Sequence, residues 1–251
     1  MRLPVPGRAM AAALALLLVA ATPAPKPGGV EVKTADYTFS YRWPAAVEAI
    51  PALRARLDAE QAGLRRDLAR NAAEWREAVA SDPDLHRDRI WAPYDMRTEW
   101  KVVANLPGWL SLSKAYSLYE GGAHPNHNFG SLVWDRGAGQ ARRPLDLFVS
   151  AKALDAAIGK PFCDALDRQR AERRGAPVNR ASGDGFDACI APSEQTVILG
   201  SSNRKTFNRI GILVAPYAAG PYVEGAYDVT VPVTPEVLKA VKPEFRAAFG
   251  P

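Results

Sequence analysis

The chain has 251 residues, of which 47% are hydrophobic and 24% are charged, as in an ordinary globular protein. This length allows one large domain or two small ones, with enough chain to bury a core. The net charge is +5 on 32 basic and 27 acidic residues. So small a surplus argues against nucleic acid as a partner.

The N-terminus has the pattern of a signal peptide. Arg2 and Arg8 form a positive lead, residues 9–21 are an unbroken apolar run, and the run ends in small residues suited to cleavage. This run is too short to span a bilayer comfortably. We therefore predict a signal peptide over residues 1–21 and a disordered leader over residues 22–29, with a retained membrane anchor as the alternative. After cleavage we expect a periplasmic or secreted protein without stable membrane insertion.

The two cysteines of the chain, Cys163 and Cys189, are predicted to form a disulfide bond. A cysteine pair in an exported protein normally bonds, because its compartment is oxidising. The segment between them is rich in arginine and glycine and too polar to be held in place by burial. The bond is therefore expected to fix this loop. A free reactive thiol is the alternative, although neither cysteine lies in a catalytic motif.

Residues 30–135 are predicted to form an N-terminal module. Valine and aromatic residues at 30–43 indicate one strand or two, and leucines at spacings of four and seven after Pro51 indicate a long amphipathic helix that ends by Ser81. Further strands are predicted at residues 96–106, 109–118 and 129–135. Short loops between these strands favour an antiparallel meander with the helix on one face.

Residues 136–251 are predicted to form a C-terminal module. After a short apolar anchor, Ser150 is expected to cap a helix, Pro161 should distort or divide that helix, and its arginines at 168–174 are interpreted as a solvated face. Strands are predicted at residues 196–199, 210–215 and 227–233, and a last helix from Pro235 with the apolar face Val237, Leu238, Val241 and Phe245. The predicted fold class is α+β, with antiparallel sheets and helices packed against them.

The stretch Tyr-Glu-Gly-Gly-Ala-His-Pro-Asn-His-Asn at residues 119–128 is the predicted binding loop. Its adjacent glycines allow backbone angles closed to other residues, and its proline fixes the chain as it leaves. Loops held on a rigid sheet often carry binding sites. The candidate binding residues are Tyr119, Gly121, Gly122, His124, Pro125, Asn126 and His127, with Tyr217 and Tyr222 as further candidates. The alternative is that the loop only closes a hairpin.

No motif for catalysis or cofactor binding stands out. His124 and His127 would form a zinc set with His86 or an aspartate, but three histidines in the whole chain leave little support for such a site. Residues 82–88 alternate acidic positions but lack the glycine of a calcium loop. A nucleophile elbow and the phosphate-loop and dinucleotide fingerprints are absent from the sequence. We expect no metal, no cofactor and no catalytic residue, while a hydrolase using His124 with a nearby carboxylate is the competing hypothesis.

The predicted loop is also the main part of a family resemblance. Tyr119-x-Gly-Gly-Ala-His-Pro, an apolar strand to Asp135, Pro-Leu-Asp-Leu-Phe at residues 144–148 and Pro-Tyr…Gly-Pro-Tyr…Gly at residues 216–225 resemble a family of exported bacterial domains of largely unknown function. The same pair of modules is similar to the extracellular part of lysozyme-sensing anti-sigma factors. It is also similar to the region before the catalytic domain of PdaC-type peptidoglycan deacetylases. The resemblance covers the chain from about residue 30 to residue 249.

This resemblance implies recognition at the cell envelope without catalysis. The sensors carry a cytoplasmic sigma-binding segment where this chain has a predicted signal peptide. The deacetylases carry a metal-binding domain with a Thr-Phe-Asp-Asp type motif, which is not found in this sequence. The expected partner is therefore a peptidoglycan-like glycan or a cell-wall lytic enzyme such as lysozyme. A purely structural periplasmic domain is the remaining alternative.

Overall fold

The computed structural model describes residues 26–82, 84 and 92–251. The predicted signal peptide over residues 1–21 lies outside the described residues, as does His86 in the predicted polar loop. No helix in the described part of the chain is long and apolar enough to span a lipid bilayer.

The larger of the two sheets has six strands that neighbour one another in chain order. They are β1 (Gly28–Lys33), β2 (Tyr37–Trp43), β3 (Tyr94–Asn105), β4 (Trp109–Tyr119), β5 (Asn126–Asp135) and β6 (Gln140–Arg142). All neighbours are antiparallel except β2 and β3, which are parallel because a helical crossover lies between them. The α+β class and the meander of β3, β4 and β5 are confirmed, and β2 with β3 is the one parallel pair among the described strands, which are otherwise antiparallel.

Strand pairing moves two of the predicted boundaries. β1 begins at Gly28, two residues inside the predicted leader, because Gly28 and Gly29 are in register with Trp43 and Arg42 of β2. At the other end, β6 follows residue 135 but pairs with β5. The sheet therefore extends past the predicted end of the N-terminal module.

The predicted binding loop is also shorter than expected. β5 begins at Asn126 rather than at residue 129, and its first residue is in register with Leu118 of β4. His127 and Asn128 follow in the same ladder. These three residues are therefore held by the sheet, and only residues 120–125 form the connection.

One face of the six-stranded sheet is covered by helix α2 (Pro51–Ser81), which follows the one-turn helix α1 (Ala45–Glu48). The proline at the first position of α2 has no N–H, and none is needed there. Leu53 and Leu57 of the helix are fully buried and belong to one core cluster with Tyr41 of β2. The leucine spacing noted in the sequence is therefore the packed face of this helix.

The smaller sheet has three antiparallel strands and lies in the C-terminal half. Its strands are β7 (Thr196–Gly200), β8 (Arg209–Val214) and β9 (Tyr227–Pro232). β7 packs against β3, β4 and β5. Ala104 and Val133 from the larger sheet, and Leu106 from the turn between β3 and β4, share a core cluster with the smaller sheet. The two sheets are therefore joined through a common core.

Helix α3 (Ala151–Arg174) packs on β9. The side chain of Ser150 accepts a hydrogen bond from the third backbone N–H of the helix, and Gly175, with φ 68°, ends it in the left-handed conformation. Pro161 lies inside one continuous helix, so the predicted division does not occur. Cys163 of this helix is bonded to Cys189, as predicted, and such bonds are typical of proteins outside the reducing cytoplasm.

Short helices complete the C-terminal half. A 3-10 helix, Pro144–Leu147, forms the predicted apolar anchor. Helix α4 (Pro235–Ala240) stops before Pro243, which begins a further 3-10 helix, Pro243–Ala248. A proline disfavours helical geometry in the residue before it, so Phe245 lies on this 3-10 helix rather than on the predicted single face.

Candidate functional site

Two connections from distant parts of the chain meet beside the larger sheet. One is the turn between β4 and β5, residues 120–125, which we call the GAHP turn. The other is the connection between β8 and β9, residues 215–226, which we call the tyrosine loop. The aromatic side chains of these two segments form the candidate site.

His124 of the GAHP turn lies flat against Tyr222 of the tyrosine loop. Their ring centroids are 3.6 Å apart and their planes differ by 14°. The Nε2 atom of His124 is 3.2 Å from the hydroxyl of Tyr217, and its Nδ1 atom is 3.1 Å from the carbonyl oxygen of Pro125. The hydroxyl of Tyr222 donates to the same carbonyl oxygen at 2.8 Å. These contacts join the two loops directly.

The partners of His124 determine the tautomer of its neutral ring. A neutral imidazole has one donor and one acceptor nitrogen. The carbonyl of Pro125 only accepts, so Nδ1 carries the hydrogen. Nε2 is then the acceptor for the hydroxyl of Tyr217. Both nitrogens are therefore used in fixing the ring.

The two glycines of the GAHP turn have positive φ angles, 94° at Gly121 and 91° at Gly122. An L-residue adopts such angles at a cost, so glycine suits both positions. The hydroxyl of Tyr119 donates to the carbonyl of Gly122 at 3.2 Å. Tyr119 therefore closes the turn from which His124 projects.

Tyr217 also has a positive φ, of 69°, which is uncommon for a residue with a side chain. Its ring is 54% exposed, and its backbone N–H donates to the carbonyl of Gly220 at 3.1 Å. Strained conformations of this kind persist only where the surrounding structure holds them, and they cluster at ligand-contacting segments. The tyrosine loop is therefore built to present this ring at the surface.

A crevice of about 350 Å³ opens beside the aromatic cluster. It is lined by Ala115, Tyr116, His127, Asn128, Phe129, Pro216, Tyr222, Gly225 and Ala226. The rings of His127 and Tyr222 are 6.2 Å apart with planes inclined by 25°. Small-molecule sites are commonly clefts of this size, mostly apolar with a few polar groups. The lining has that character.

The polar groups of the crevice are a tyrosine hydroxyl, an amide and an imidazole. The side-chain oxygen of Asn128 accepts from the N–H of Phe129 at 2.7 Å, and the described residues offer no partner to its amide N–H groups. Burial, followed by the charge of Glu120, raises the pKa of Tyr116, so its hydroxyl stays protonated at neutral pH. The crevice therefore presents hydrogen-bond donors next to an aromatic wall.

Arginines at the end of α3 hold the tyrosine loop in place. Arg170 is fully buried, and its Nε donates to the carbonyl oxygen of Ala219 at 2.9 Å. Arg174 donates to both carboxylate oxygens of Glu224, at 2.8 and 3.1 Å. Arg173 donates to the backbone carbonyl of Glu224. Glu224 also accepts a hydrogen bond from the hydroxyl of Tyr227.

These contacts control the ionisation of Glu224. Burial acts to raise its pKa, but the hydrogen bonds from Arg174 and Tyr227 outweigh burial and hold the pKa below its usual range. Burial and the hydrogen bond to Glu224 raise the pKa of Tyr227. The loop is therefore anchored by a carboxylate that remains charged down to acidic pH.

The structure brings together five of the nine predicted binding residues and separates the others by role. His124, Pro125, His127, Tyr217 and Tyr222 form the cluster. Tyr119 and the two glycines form the turn. Asn126 is an exposed residue of β5 in register with Leu118, and it does not line the crevice.

The arginine anchors are not evident from the sequence pattern. The segment 168–174 is typical of a solvated helix face, and this interpretation is wrong for Arg170, whose side chain is fully buried. Arg170 and Arg174 are one helical turn apart and so share a face. That spacing, together with a single carboxylate at position 224 of the tyrosine loop, was the available signal.

No group of three or more potential metal-ligating side chains is found within residues 26–82, 84 and 92–251. In the same part of the chain, no carboxylate forms an ion pair with His124, whose ring nitrogens face Pro125 and Tyr217. The rings of His124, Tyr217 and Tyr222 instead contact one another.

Comparison with known proteins finds a family model whose match includes the GAHP turn. Residues 30–127, from within β1 to His127 in β5, match the family model described as deacetylase PdaC. This confirms the resemblance for the N-terminal part of the chain. A search of curated proteins found no match.

Two solved structures resemble nearly the whole chain. A member of the DUF3298 family from Bacteroides fragilis NCTC 9343 is 18% identical, with a TM-score of 0.50, over 90% of this chain and 97% of that one. A DUF3298 family protein from Pseudomonas aeruginosa PAO1 is 15% identical, with a TM-score of 0.49, over 90% of this chain and 98% of that one. At this identity the first likeness supports the fold alone. The chain thus has a PdaC-like region within a fold similar to that of a domain family of unknown function.

Proposed function

We propose that this chain is an exported, non-catalytic binding protein of the cell envelope that recognises a peptidoglycan-like glycan. The observation that carries the proposal is the stack of His124 on Tyr222 beside a crevice of about 350 Å³. The stack needs both loops, so the crevice exists only in the folded protein.

A glycan suits the chemistry of this crevice. Flat aromatic faces such as that of Tyr222 pack well against the apolar C–H face of a sugar ring. The amide N–H groups of Asn128 and the ring of His127 supply polar contacts at the same place. A site of about 350 Å³ has room for a sugar-sized group and not for a folded chain.

A glycan-cleaving enzyme such as lysozyme is the second candidate partner, and one observation favours it. Tyr217 is 54% exposed and Val223 is 91% exposed, and both lie on the tyrosine loop. Exposed apolar and aromatic side chains that lie together are typical of protein contacts. Such a partner would cover the rim of the crevice rather than enter it.

The competing hydrolase hypothesis has less support from the geometry. A general base needs a free nitrogen within reach of a substrate and a group that orients it. Both nitrogens of His124 already have partners, and neither partner is a carboxylate. A structural role for the turn is the remaining alternative, and it predicts effects on stability without effects on binding.

Export is proposed from the N-terminal pattern and from the disulfide bond. The bond between Cys163 and Cys189 fits an oxidising compartment. The periplasm or the cell exterior is therefore the proposed location, and envelope polymers are the ligands available there.

The test compares Tyr222→Ala with Tyr222→Phe in binding to purified cell wall and to lysozyme. The phenylalanine variant keeps the aromatic face and loses only the hydrogen bond to Pro125, so it should retain most of the binding. The alanine variant should lose about 2 kcal/mol of binding free energy. Val149→Ala, at an exposed position between the first 3-10 helix and α3, is the control and should bind as the parent protein does.

A turnover assay on muropeptides runs beside the binding assay. Turnover that disappears in His124→Ala would overturn the non-catalytic proposal. Binding to lysozyme but not to cell wall would select the second candidate. Equal binding by Tyr222→Ala and the parent protein would remove the crevice as the site.

A further inference from the structure

The end of α3 contacts two loops that are distant from each other in the chain. On one side is the segment from Gly175 to Cys189, residues 175–189, which the disulfide closes and which we call the disulfide loop. On the other side is the tyrosine loop. Two arginines of α3 bond to both loops at once.

Arg174 makes the larger set of contacts. Its Nη1 donates to the carboxylate of Asp187 in the disulfide loop at 2.7 Å, and its Nη2 lies 3.3 Å from the carbonyl oxygen of Phe186. Its Nε and Nη2 donate to Glu224, and Nη2 also reaches the carbonyl of Ala219 at 3.3 Å. One guanidinium therefore spans the gap between the disulfide loop and the tyrosine loop.

Arg170 repeats this arrangement one turn earlier. Its Nη1 donates to the carbonyl oxygen of Ala188 at 3.0 Å and to Asp167 at 3.1 Å, while its Nε donates to Ala219. The side chain is fully buried, and its Nη2 has no partner among the described residues. A buried cation is retained at a cost, so its contacts serve to place the segments they join.

The residues that these arginines bond lie close in sequence to the two tyrosines of the tyrosine loop. Ala219, bonded by both arginines, is two residues after Tyr217, whose positive φ must be held by its surroundings. Glu224 is two residues after Tyr222, which stacks on His124. The arginines therefore hold the backbone of the tyrosine loop near both tyrosines.

We propose that Arg174 is a positioning residue for ligand binding, which couples the disulfide loop to the crevice. The proposal rests on the proposed function for its binding readout. A planar guanidinium can bond to two loops on opposite sides, whereas a lysine offers a single point of charge. The disulfide loop is then part of the binding apparatus although none of its residues lines the crevice.

The test uses Arg174→Gln, Arg174→Lys and Asp187→Asn, with Lys152→Gln as the matched control. Lys152 also lies on α3, but it is exposed in the first turn of the helix and does not line the crevice. Three quantities are measured for each variant. They are affinity for solubilised cell-wall fragments, melting temperature, and amide hydrogen exchange by peptide.

Arg174→Gln is expected to bind about tenfold more weakly or worse, and Arg174→Lys should not restore the affinity. Exchange should become faster in residues 215–226 and stay unchanged in β1 to β4. Asp187→Asn, which removes the charged partner of Arg174 in the disulfide loop but leaves Phe186 and Glu224 in place, should produce the same effects to a smaller extent. Lys152→Gln should match the parent protein in all three measurements.

Parent-like affinity in Arg174→Gln would overturn the proposal, and so would full rescue by lysine. Faster exchange throughout the chain would also overturn it, because it would show general destabilisation. The exchange measurement needs no ligand. If the parent protein itself does not bind the fragments, the proposed function fails, while local exchange in residues 215–226 still decides whether Arg174 positions the loop.

Discussion

His124 and Tyr222 come from opposite halves of the chain, yet their rings stack with centroids 3.6 Å apart. Hydrogen bonds also hold both rings, since the Tyr222 hydroxyl and the Nδ1 atom of His124 both bond to the carbonyl oxygen of Pro125. The two hydrogen bonds to its carbonyl fix Pro125 in the turn. The geometry of the stacked rings therefore depends on the turn, on the tyrosine loop and on the elements that hold each of them.

The glycines of the GAHP turn should be needed for stability because of their backbone angles alone. Gly121→Ala and Gly122→Ala should each lower the free energy of unfolding by about 1 kcal/mol. An added Cβ meets no atom within 4 Å at either position, so a steric clash does not contribute. Gly108→Ala, in a turn with equal space and no positive φ, is the control. Chemical denaturation that gave all three variants the same stability would contradict this account.

Substitutions of Tyr217 should separate the role of its ring in binding from the effect of its backbone angle on stability. Tyr217→Ala and Tyr217→Gly both remove the ring, so both should weaken binding to cell-wall fragments by about 2 kcal/mol. The glycine variant tolerates the φ of 69° and should be more stable than the alanine variant by about 1 kcal/mol. Paired melting and binding measurements check this. An alanine variant as stable as the glycine variant would show that the backbone at this position is not strained.

Asn126→Ala should have little effect on stability or on binding. Asn126 is exposed, lies in β5 and does not line the crevice, so the expected change in unfolding free energy is below about 0.5 kcal/mol. Loss of binding in Asn126→Ala at unchanged stability would return Asn126 to the site.

Tyr119→Phe should lower the free energy of unfolding by about 1 kcal/mol, because it removes the hydrogen bond that closes the turn.

Glu224 should make the protein more stable as the pH rises through the acidic range. Burial acts to raise its pKa, but Arg174 and Tyr227 lower it by more, so the folded state binds the proton less tightly than the unfolded state does. Its contribution is present above the pKa of an unfolded glutamate, about 4.3, and is lost as the pH falls through the lower folded value. Glu224→Gln should flatten the slope of unfolding free energy against pH in this range.

Glu244→Gln is the charge-matched control for that measurement. Glu244 is exposed in the last 3-10 helix and lies away from the arginines of α3. An acid slope in Glu224→Gln equal to that of the parent protein would remove Glu224 as an acid-sensitive anchor.

The disulfide should stabilise the protein mainly by restricting the unfolded chain. The two cysteines are 26 residues apart, and loop-closure entropy predicts about 3.5 kcal/mol for a loop of this size. The double variant Cys163→Ser, Cys189→Ser should unfold at correspondingly lower denaturant concentration. Thiol titration of the unreduced protein after unfolding should find no free thiol, and two titratable thiols would contradict the pairing.

The sequence by itself determined the elements and much of the turn chemistry. Leucines four and seven residues apart marked the packed face of α2, because residues at that spacing share one side of a helix. The adjacent glycines marked a turn with positive φ, because only glycine adopts such angles freely. Such local signals act within a few residues and can be seen in the chain alone.

Only the tertiary structure decided which residues form the site. The start of β5 at Asn126 depends on pairing with β4, and pairing overrides the local preference of asparagine for a turn. The burial of Arg170 depends on two loops that approach α3 from distant positions in the chain. The contact between His124 and Tyr222 likewise depends on how the two sheets pack, since no spacing along the chain encodes the distance between two separate connections.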